Sequence, residues 1–274
     1  MSILDLSDHL IPGSNEAYYI PNFISSQEEE HLIRKILESP SQKWKQLANR
    51  RLQLLGGTVS TSKQTLISEP MPAYVTSYPD VISRLRDLGI FENSAHKAPN
   101  HIILNEYLAG QGIMPHEDGP SYHPVVATIT LGSHTIFHYY AYKPPSEEGP
   151  DSNLNGNDSS LSGRTISPHP VLTVLLEPRS LIITRGKLYT GHLHGIDEVV
   201  EDRIHVDPEM NDIVSATESQ GGTRIANGDL VADEHIKDVL KQGGVLKRET
   251  RYSLTCRDVE KVVNVNALFG SRKV

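Results

Sequence analysis

Hydrophobic residues recur along this chain with two different periods. Before residue 100 they recur every three or four positions, which is typical of amphipathic helices. Ser26-Gln27-Glu28-Glu29 has the form of a capping box. It predicts a helix that ends near Ser39-Pro40 and carries an apolar stripe of Leu32, Ile33, Ile36 and Leu37. A second helix is predicted to start at Pro79 and to end before Gly89, with Val81, Ile82, Leu85 and Leu88 directed inward.

From His101 onward the period is two, which predicts strands. His101 to Leu108 alternates, with Ile103, Asn105 and Tyr107 on one face and Ile102, Leu104 and Leu108 on the other. Further strands are predicted at Val125–Leu131, Thr135–Tyr140, Val171–Leu176, Leu181–Thr184, Arg251–Cys256 and Lys261–Val265. Residues 15–24 are predicted to form a short apolar strand or an entry segment. Two helices followed by seven or more short strands predict a mainly β protein of the α+β class. Its antiparallel double sheet would carry the helices on one side.

Three segments depart from this pattern, yet none divides the chain, so we predict one domain spanning residues 1–274. Residues 40–70 are polar and basic and contain Trp44 and a Gly56-Gly57 turn, which predicts a hairpin or flap rather than core. Lys143 to Pro170 is rich in Pro, Ser, Asn and Gly and is predicted to be a mobile loop. Glu201 to Gly244 is an acidic insertion with one predicted helix, Ala232 to Lys241, on the sheet's edge.

Composition narrows the cellular setting. No apolar run approaches 18 residues, and Met1 to Ser14 lacks the basic and apolar regions of a signal peptide. The single cysteine, Cys256, excludes an internal disulfide and a cysteine-built zinc site. We therefore expect a monomer in a reducing compartment, the nucleus and cytoplasm, without a membrane partner.

The net charge of -8 is unevenly distributed. Asp197 to Asp238 holds 12 acidic and 3 basic residues, whereas Pro40 to Ser68 has no acidic residue and five basic ones: Lys43, Lys45, Arg50, Arg51 and Lys63. A local basic patch can bind phosphates even on an acidic protein, because salt confines its field to about 8 Å. The alternative is a solvated basic surface without a ligand.

The most informative motif is His116-Glu117-Asp118, which follows a Gly-Gln-Gly turn. Residues two positions apart on an extended segment point to the same side, so one metal ion can bind both. Two histidines and one carboxylate with open positions form the usual site of non-haem Fe(II) oxygenases. His192 and His194 are both candidates for the second histidine, and the spacing does not choose between them. His134, His138 and His205 are also present.

A second motif lies in the last predicted strands, at Arg251-Tyr252-Ser253-Leu254-Thr255-Cys256-Arg257. Alternation puts Arg251, Ser253, Thr255 and Arg257 on one face. Arginines on an inward face need anions, and a pair of them could bracket a small dicarboxylate. The alternative is that this face is exposed and both arginines are solvated.

Taken in order, Asn105-x-Tyr107, His116-x-Asp118, His194-Gly195-Ile196 and Arg251 to Arg257 resemble the AlkB-like Fe(II)/2-oxoglutarate dioxygenases. The stretches Gly112 to Pro120 and Thr130 to Thr135 look most like the sixth homologue subgroup of that family. The resemblance covers roughly Tyr18 to Val265. It implies a double-stranded β-helix, a jelly-roll relative, that uses Fe(II), 2-oxoglutarate and O₂.

The family's residue roles follow from the same resemblance. His116, Asp118 and His194 would bind Fe(II), since Gly195-Ile196 identifies His194 rather than His192. The 2-oxoglutarate ligands would be Asn105, Tyr107, Arg251, Ser253 and Arg257. The flap residues Trp44, Arg50 and Arg51 would contact a nucleotide substrate, with Trp44 stacking on the base. The implied reaction is oxidative demethylation of an alkylated base in RNA or single-stranded DNA.

Two departures from the family pattern keep other functions open. Pro120 replaces a base-reading acid of the bacterial founder, and the long acidic segment between His194 and Arg251 is expected near the site. One alternative is a nucleic-acid reader with little or no turnover. Another is a protein or small-molecule hydroxylase.

Overall fold

The computed structural model describes residues 5–143, 164–207, 212–217 and 220–264. The strands, in chain order, are β1 (Ala17–Ile20), β2 (Lys45–Gln46), β3 (Arg51–Leu55), β4 (Gly57–Ser60), β5 (Thr65–Ser68), β6 (His101–Tyr107), β7 (Ile113–His116), β8 (Val125–Leu131), β9 (Thr135–Ala141), β10 (Leu172–Leu176), β11 (Leu181–Arg185), β12 (His192–Ile196), β13 (Glu201–Asp207), β14 (Asp212–Thr217), β15 (Gln220–Arg224), β16 (Gly244–Lys247), β17 (Arg251–Arg257) and β18 (Lys261–Asn264). The helices are α1 (Ser26–Leu37), α2 (Ala73–Thr76), α3 (Val81–Asp87), α4 (Gly186–Thr190) and α5 (Glu234–Gln242).

Two facing sheets form the centre of the molecule. The major sheet has the order β1-β11-β8-β17-β6-β3-β2, and the minor sheet has the order β10-β9-β12-β7. The chain crosses repeatedly between them, because β6, β8, β11 and β17 belong to the major sheet and β7, β9, β10 and β12 to the minor one. This is jelly-roll topology, so the predicted double-stranded β-helix is confirmed.

Side chains on the two faces of the major sheet have different surroundings. Ile102 and Leu104 of β6, and Leu254 and Cys256 of β17, are fully buried in the cluster that contains the residues of α1, α2 and α3. The intervening residues of both strands line a pocket between the two sheets. The predicted helices therefore pack on one face of the major sheet and leave the other for the pocket.

The helix starts differ slightly from the prediction. Ser25, not Ser26, caps α1: its hydroxyl accepts the Glu28 backbone N–H, and the Glu28 carboxylate accepts the N–H of Ser25. The second predicted helix begins at Val81 rather than Pro79, because the Asp80 carboxylate caps it.

The segment predicted as a flap is partly core. β2 and β3 extend the major sheet, where β3 pairs with β6 and buries Gln53 and Leu55. β4 and β5 form the predicted hairpin, and β18 pairs in parallel with β5. Leu108, expected on the same face as Ile102 and Leu104, lies beyond the end of β6 and is about half exposed.

The acidic insertion folds into a sheet of its own, in the order β15-β14-β13-β16, with α5 packed against β13 and β16. Ile236 and Leu240 of α5 share a buried cluster with Ile136 of β9 and Leu175 of β10. The expectation that α5 sits on a sheet edge is therefore wrong, since it packs over a face. The expected loop at 143–170 falls largely outside the described residues.

Candidate active site

Three of the predicted metal ligands come together. His116 ends β7, Asp118 follows two residues later, and His194 lies on β12, where it pairs with His116. One ligand atom from each residue lies within 4.8 Å of the other two. Nε2 of His194 is 3.7 Å from Oδ1 of Asp118, and the two imidazole centroids are 4.4 Å apart.

Neighbouring groups fix the orientation of both imidazoles. His116 Nδ1 is 2.9 Å from the Met114 carbonyl oxygen, which leaves Nε2 for a ligand. The Phe137 ring stacks on His194 with centroids 5.3 Å apart. His192 is turned away, with Nδ1 3.1 Å from the Lys187 carbonyl oxygen, and it does not line the pocket.

The electrostatics suit a metal. Burial lowers the pKa of His194 to about 4 and also lowers that of His116, so both imidazoles are neutral and carry lone pairs. Burial raises the pKa of Asp118, but the positive charge of Arg257, the largest of the effects that lower it, helps to turn the net shift downward. Asp118 is therefore an anion.

One buried atom tests whether a metal fits here. Oδ1 of Asp118 accepts a hydrogen bond from Arg257, whereas Oδ2 is buried without a partner among the described residues. A buried carboxylate oxygen without a partner costs free energy unless something binds it. Two neutral imidazoles and one carboxylate are the donor set that Fe(II) takes in the facial triad, so these residues fit that ion.

Arg251 forms a second centre in the same pocket. It is 4 % exposed; Nη2 donates to Thr130 Oγ1 at 3.0 Å, and Nε has no partner within the described ranges. Burial lowers its pKa to about 10, and the guanidinium still remains charged at neutral pH. No carboxylate of the described chain pairs with it, so a ligand carboxylate fits this position.

The other residues predicted to bind 2-oxoglutarate lie nearby. Asn105 Nδ2 donates to Ser253 Oγ at 3.5 Å, and the Tyr107 ring centroid lies 5.5 Å from the guanidinium carbon of Arg251. All three line the pocket, whose volume is about 240 Å³, together with Arg257.

The three flap residues predicted to contact the substrate, Trp44, Arg50 and Arg51, lie in different surroundings. Arg50 lines the pocket, and its Nε donates to Asn105 Oδ1 at 3.1 Å. Arg51 points elsewhere: it donates twice to the Glu106 carboxylate, at 2.6 Å each, and its guanidinium lies 4.2 Å from the centroid of the Trp44 ring. Trp44 is partly buried against the helix-side core and does not line the pocket.

Sequence reasoning missed several pocket residues. Tyr189 on α4 has a buried hydroxyl without a partner in the described part of the chain, and Tyr122 lies with its ring centroid 4.9 Å from the Arg257 guanidinium. Glu117 also lines the pocket and was available inside the His116-x-Asp118 motif. The two tyrosines carry no local signal, since only the tertiary fold brings them to the pocket.

The insertion stands apart from this pocket. Its described residues do not line it, but Glu198, just before the insertion, accepts a hydrogen bond from Asn49, which precedes the pocket residue Arg50. The expectation of an acidic segment near the site is therefore not contradicted by the described part. Asp202 accepts two hydrogen bonds from Arg248 and lies 3.0 Å from His134 Nε2. Arg248 Nη1 also donates to the Asp197 carbonyl at 2.7 Å, which ties the insertion to the end of β12.

Comparison with known proteins agrees with this geometry. A sequence profile described as the 2OG-Fe(II) oxygenase superfamily matches residues 16–257. A Danio rerio protein named "Probable RNA/DNA demethylase ALKBH6" is 34% identical over 275 residues, covering 98% of this chain and 97% of that protein. The "Uncharacterized protein L905" of Acanthamoeba polyphaga mimivirus is 31% identical over 130 residues, covering 47% of this chain and 59% of that protein.

Similar solved structures are more distant. The structure of OsALKBH1 has a TM-score of 0.47 and 14% sequence identity, and covers 91% of this chain and 98% of that one. A 2OG-Fe(II) oxygenase family oxidoreductase from Burkholderia pseudomallei has a TM-score of 0.44 and 9% identity, with 95% of each chain covered. Among the described helices, none is long and apolar enough to span a bilayer.

Proposed function

Since this chain belongs to the 2OG-Fe(II) oxygenase superfamily, we propose that its pocket oxidatively demethylates alkylated bases in RNA or single-stranded DNA. Fe(II), 2-oxoglutarate and O₂ are the cofactors that this membership implies. The chain is an oxygenase, because the profile match at residues 16–257 includes His116-x-Asp118 and the segment Arg251 to Arg257.

One observation carries the proposal: a compact His–Asp–His cluster shares one pocket with a buried arginine that has no carboxylate partner among the residues the structure describes. In the proposed assignment His116, Asp118 and His194 hold the iron. Arg251 binds the distal carboxylate of 2-oxoglutarate by charge-assisted hydrogen bonds.

The remaining pocket residues orient these two groups. Tyr107, Asn105 and Ser253 supply hydrogen-bonding groups along β6 and β17, and Arg257 lies near the keto-acid end. Arg257 also donates to Asp118 Oδ1, which holds that carboxylate in one orientation and leaves Oδ2 for the metal.

The cofactors supply activation of O₂ for insertion of oxygen into a C–H bond, and the protein supplies position and a dry site. The apolar residues Val126, Ile182 and Leu188 line the same cavity and keep water from the reacting centre. Hydroxylation of an N-methyl group gives a product that releases formaldehyde, so the net result is demethylation.

A nucleic-acid substrate is supported by the name of the Danio rerio relative and by the basic segment 43–51, of which Arg50 lines the pocket. The target base must leave its stack to enter a buried pocket, which is least costly in a single strand. The acidic insertion packs on the minor sheet, and its described residues stay out of the pocket.

The test supplies Fe(II), 2-oxoglutarate and O₂ with single-stranded oligonucleotides that each carry one methylated base. Mass spectrometry should detect loss of the methyl group, with matching amounts of succinate and formaldehyde, and Asp118→Ala should give none of these. Tight RNA binding without any turnover would instead identify a reader. A hydroxylated protein with unchanged oligonucleotides would identify a protein hydroxylase.

A further inference from the structure

Of the basic residues in the flap, Arg50 is the one that lines the pocket. Lys43 and Lys45 are exposed, and the guanidinium of Arg51 lies between Glu106 and the Trp44 ring. Arg50 immediately precedes β3, and its Nε donates to Asn105 on the neighbouring β6. Arg50 is therefore a partly buried residue of the pocket wall, whereas Lys43 and Lys45 belong to the outer basic surface.

Arg50 has no carboxylate partner within the described ranges. Its hydrogen bond to Asn105 Oδ1, at 3.1 Å, engages Nε, so the two terminal amino groups remain for a ligand. Asn105 in turn donates to Ser253, so Arg50 adjoins the residues proposed to bind 2-oxoglutarate. A cation held at a pocket wall without an anion is a selective element, because it attracts acceptors and repels other cations.

The net charge of the pocket lining determines which ligands it favours. The lining residues include three arginines, Arg50, Arg251 and Arg257, against two carboxylates, Glu117 and Asp118. The two lining histidines, His116 and His194, are the proposed iron ligands, and histidine binds a metal as a neutral imidazole. The two positive charges of Fe(II) and the two negative charges of 2-oxoglutarate cancel, so the filled pocket keeps its excess of positive charge.

The carboxylate at the rim does not reverse this balance. Glu117 Oε1 accepts from the Tyr142 hydroxyl at 2.8 Å, and Arg164 Nη2 lies 3.4 Å away. The Arg164 guanidinium also lies 3.6 Å from the centroid of the Tyr142 ring. The charge of Glu117 is therefore partly balanced by Arg164. Asp118 is bonded to Arg257. Position 120, two residues beyond Asp118, is a proline and supplies no charge.

We infer that this site selects neutral alkylated bases that present a carbonyl oxygen, with Arg50 donating to that oxygen, over cationic alkylated bases. The inference rests on the proposed function and specifies its substrate class. A base that is cationic after alkylation meets an uncompensated guanidinium, whereas a carbonyl oxygen accepts its hydrogen bonds.

Two methylated pyrimidines form a matched pair for the test. N3-Methyluracil is neutral and has a carbonyl at C4, and N3-methylcytosine is cationic and has an amino group there. Each is placed singly in the same RNA 10-mer, about the length that one groove engages. Binding to the protein loaded anaerobically with Fe(II) and 2-oxoglutarate is measured by fluorescence anisotropy, so the readout does not depend on turnover.

The wild-type protein should bind the N3-methyluracil strand roughly tenfold more tightly than the N3-methylcytosine strand. Arg50→Gln should bring the two affinities to within about twofold, chiefly by weakening the neutral ligand. Lys43→Gln, which removes the same charge from the exposed part of the flap, should weaken both strands equally and leave their ratio unchanged. Titration of 2-oxoglutarate by its anaerobic visible charge-transfer band should give wild-type affinity for Arg50→Gln.

Preference for the N3-methylcytosine strand, with formaldehyde released from it, would overturn this inference and leave the proposed function intact. Equal weakening of both strands by Arg50→Gln, or a loss of 2-oxoglutarate affinity instead, would also overturn it. Failure to bind either strand better than unmodified RNA, with no turnover of any methylated base, would overturn the proposed function itself.

Discussion

His116 and His194 are register partners on adjacent antiparallel strands, β7 and β12. Directly opposed residues of such a pair project to the same side of the sheet, so the ladder itself brings the imidazoles together. His192, two residues earlier on β12, pairs with Ala141 of β9 instead.

This pairing predicts different effects for the two histidines. His194→Ala should weaken Fe(II) binding by more than roughly 100-fold, because even outer-shell partners of a metal contribute 10- to 100-fold. His192→Ala should keep wild-type affinity. Anaerobic titration with Fe(II) or Co(II) measures both, and iron retained by His194→Ala would refute the ligand assignment.

Gly112 sets how closely β7 approaches the end of β12. A Cβ at this position would lie 2.3 Å from the Ile196 carbonyl oxygen, which is backbone and cannot rotate away. Gly112→Ala should therefore destabilise the fold by about 1–3 kcal/mol and weaken iron binding by shifting His116 against His194. Gly191→Ala is the matched control, since its nearest atom, the Lys187 carbonyl oxygen, is 3.2 Å away. Chemical denaturation and metal titration should separate the two variants.

Arg251 provides a test of the keto-acid site. Arg251→Gln should raise the dissociation constant of 2-oxoglutarate roughly 10- to 100-fold, because a charge-assisted hydrogen bond contributes about 1.5–3 kcal/mol. The metal site should still bind Fe(II), since Arg251 does not touch its ligands. Arg203→Gln, on the exposed surface of the insertion, is the control and should bind both normally. If Arg251→Gln bound 2-oxoglutarate with unchanged affinity, Arg251 would not be its carboxylate ligand.

The Arg248–Asp202 pair should be essential for attaching the insertion. Both residues are buried, with two hydrogen bonds of 2.7 Å between them. Arg248→Met leaves a buried carboxylate facing only His134, and removal of one partner of such a pair costs about 3–5 kcal/mol. Urea denaturation should detect this loss. A cost below about 1 kcal/mol, the value of a surface pair, would show that solvent reaches Asp202.

His101 should make stability depend on pH. Burial, assisted by the charge of Arg257, lowers its pKa from 6.5 to about 4. Between these values the unfolded chain binds a proton that the folded chain does not, so the free energy of unfolding falls as the pH falls. The full loss is about 3 kcal/mol. Urea denaturation of the metal-free protein at several pH values should show a weaker slope for His101→Gln than for the wild type. Equal slopes would mean that His101 titrates normally in the fold.

The strand pattern was the most predictable part of this fold. β6 and β17 each alternate between helix-side core and pocket, because side chains on a pleated strand alternate and only one face meets the helices. The start of α1 was less certain, since Ser25 with Glu28 and Ser26 with Glu29 fit a capping box equally well. Only the backbone at Ser25 decides which pair acts.

The sequence could not predict that the side chain of Arg50 lines the pocket while that of Arg51 points away from it. β3 begins at Arg51, whose pairing with Glu106 on β6 fixes its side chain outside the pocket and leaves Arg50 inside. The insertion was misjudged for a related reason. Its acidic composition concealed the few apolar positions, such as Ile204 and Leu246, that bury one of its faces.

A central strand of the major sheet, β17, is synthesised late. β17 lies between β6 and β8, although it is the last of the eight jelly-roll strands to leave the ribosome. A nascent chain that ends before it has two unpaired strand edges, which are sites of misassociation. It also lacks Arg257, so Asp118 has no guanidinium to hold it. The pocket is therefore complete only after β17 has entered the sheet.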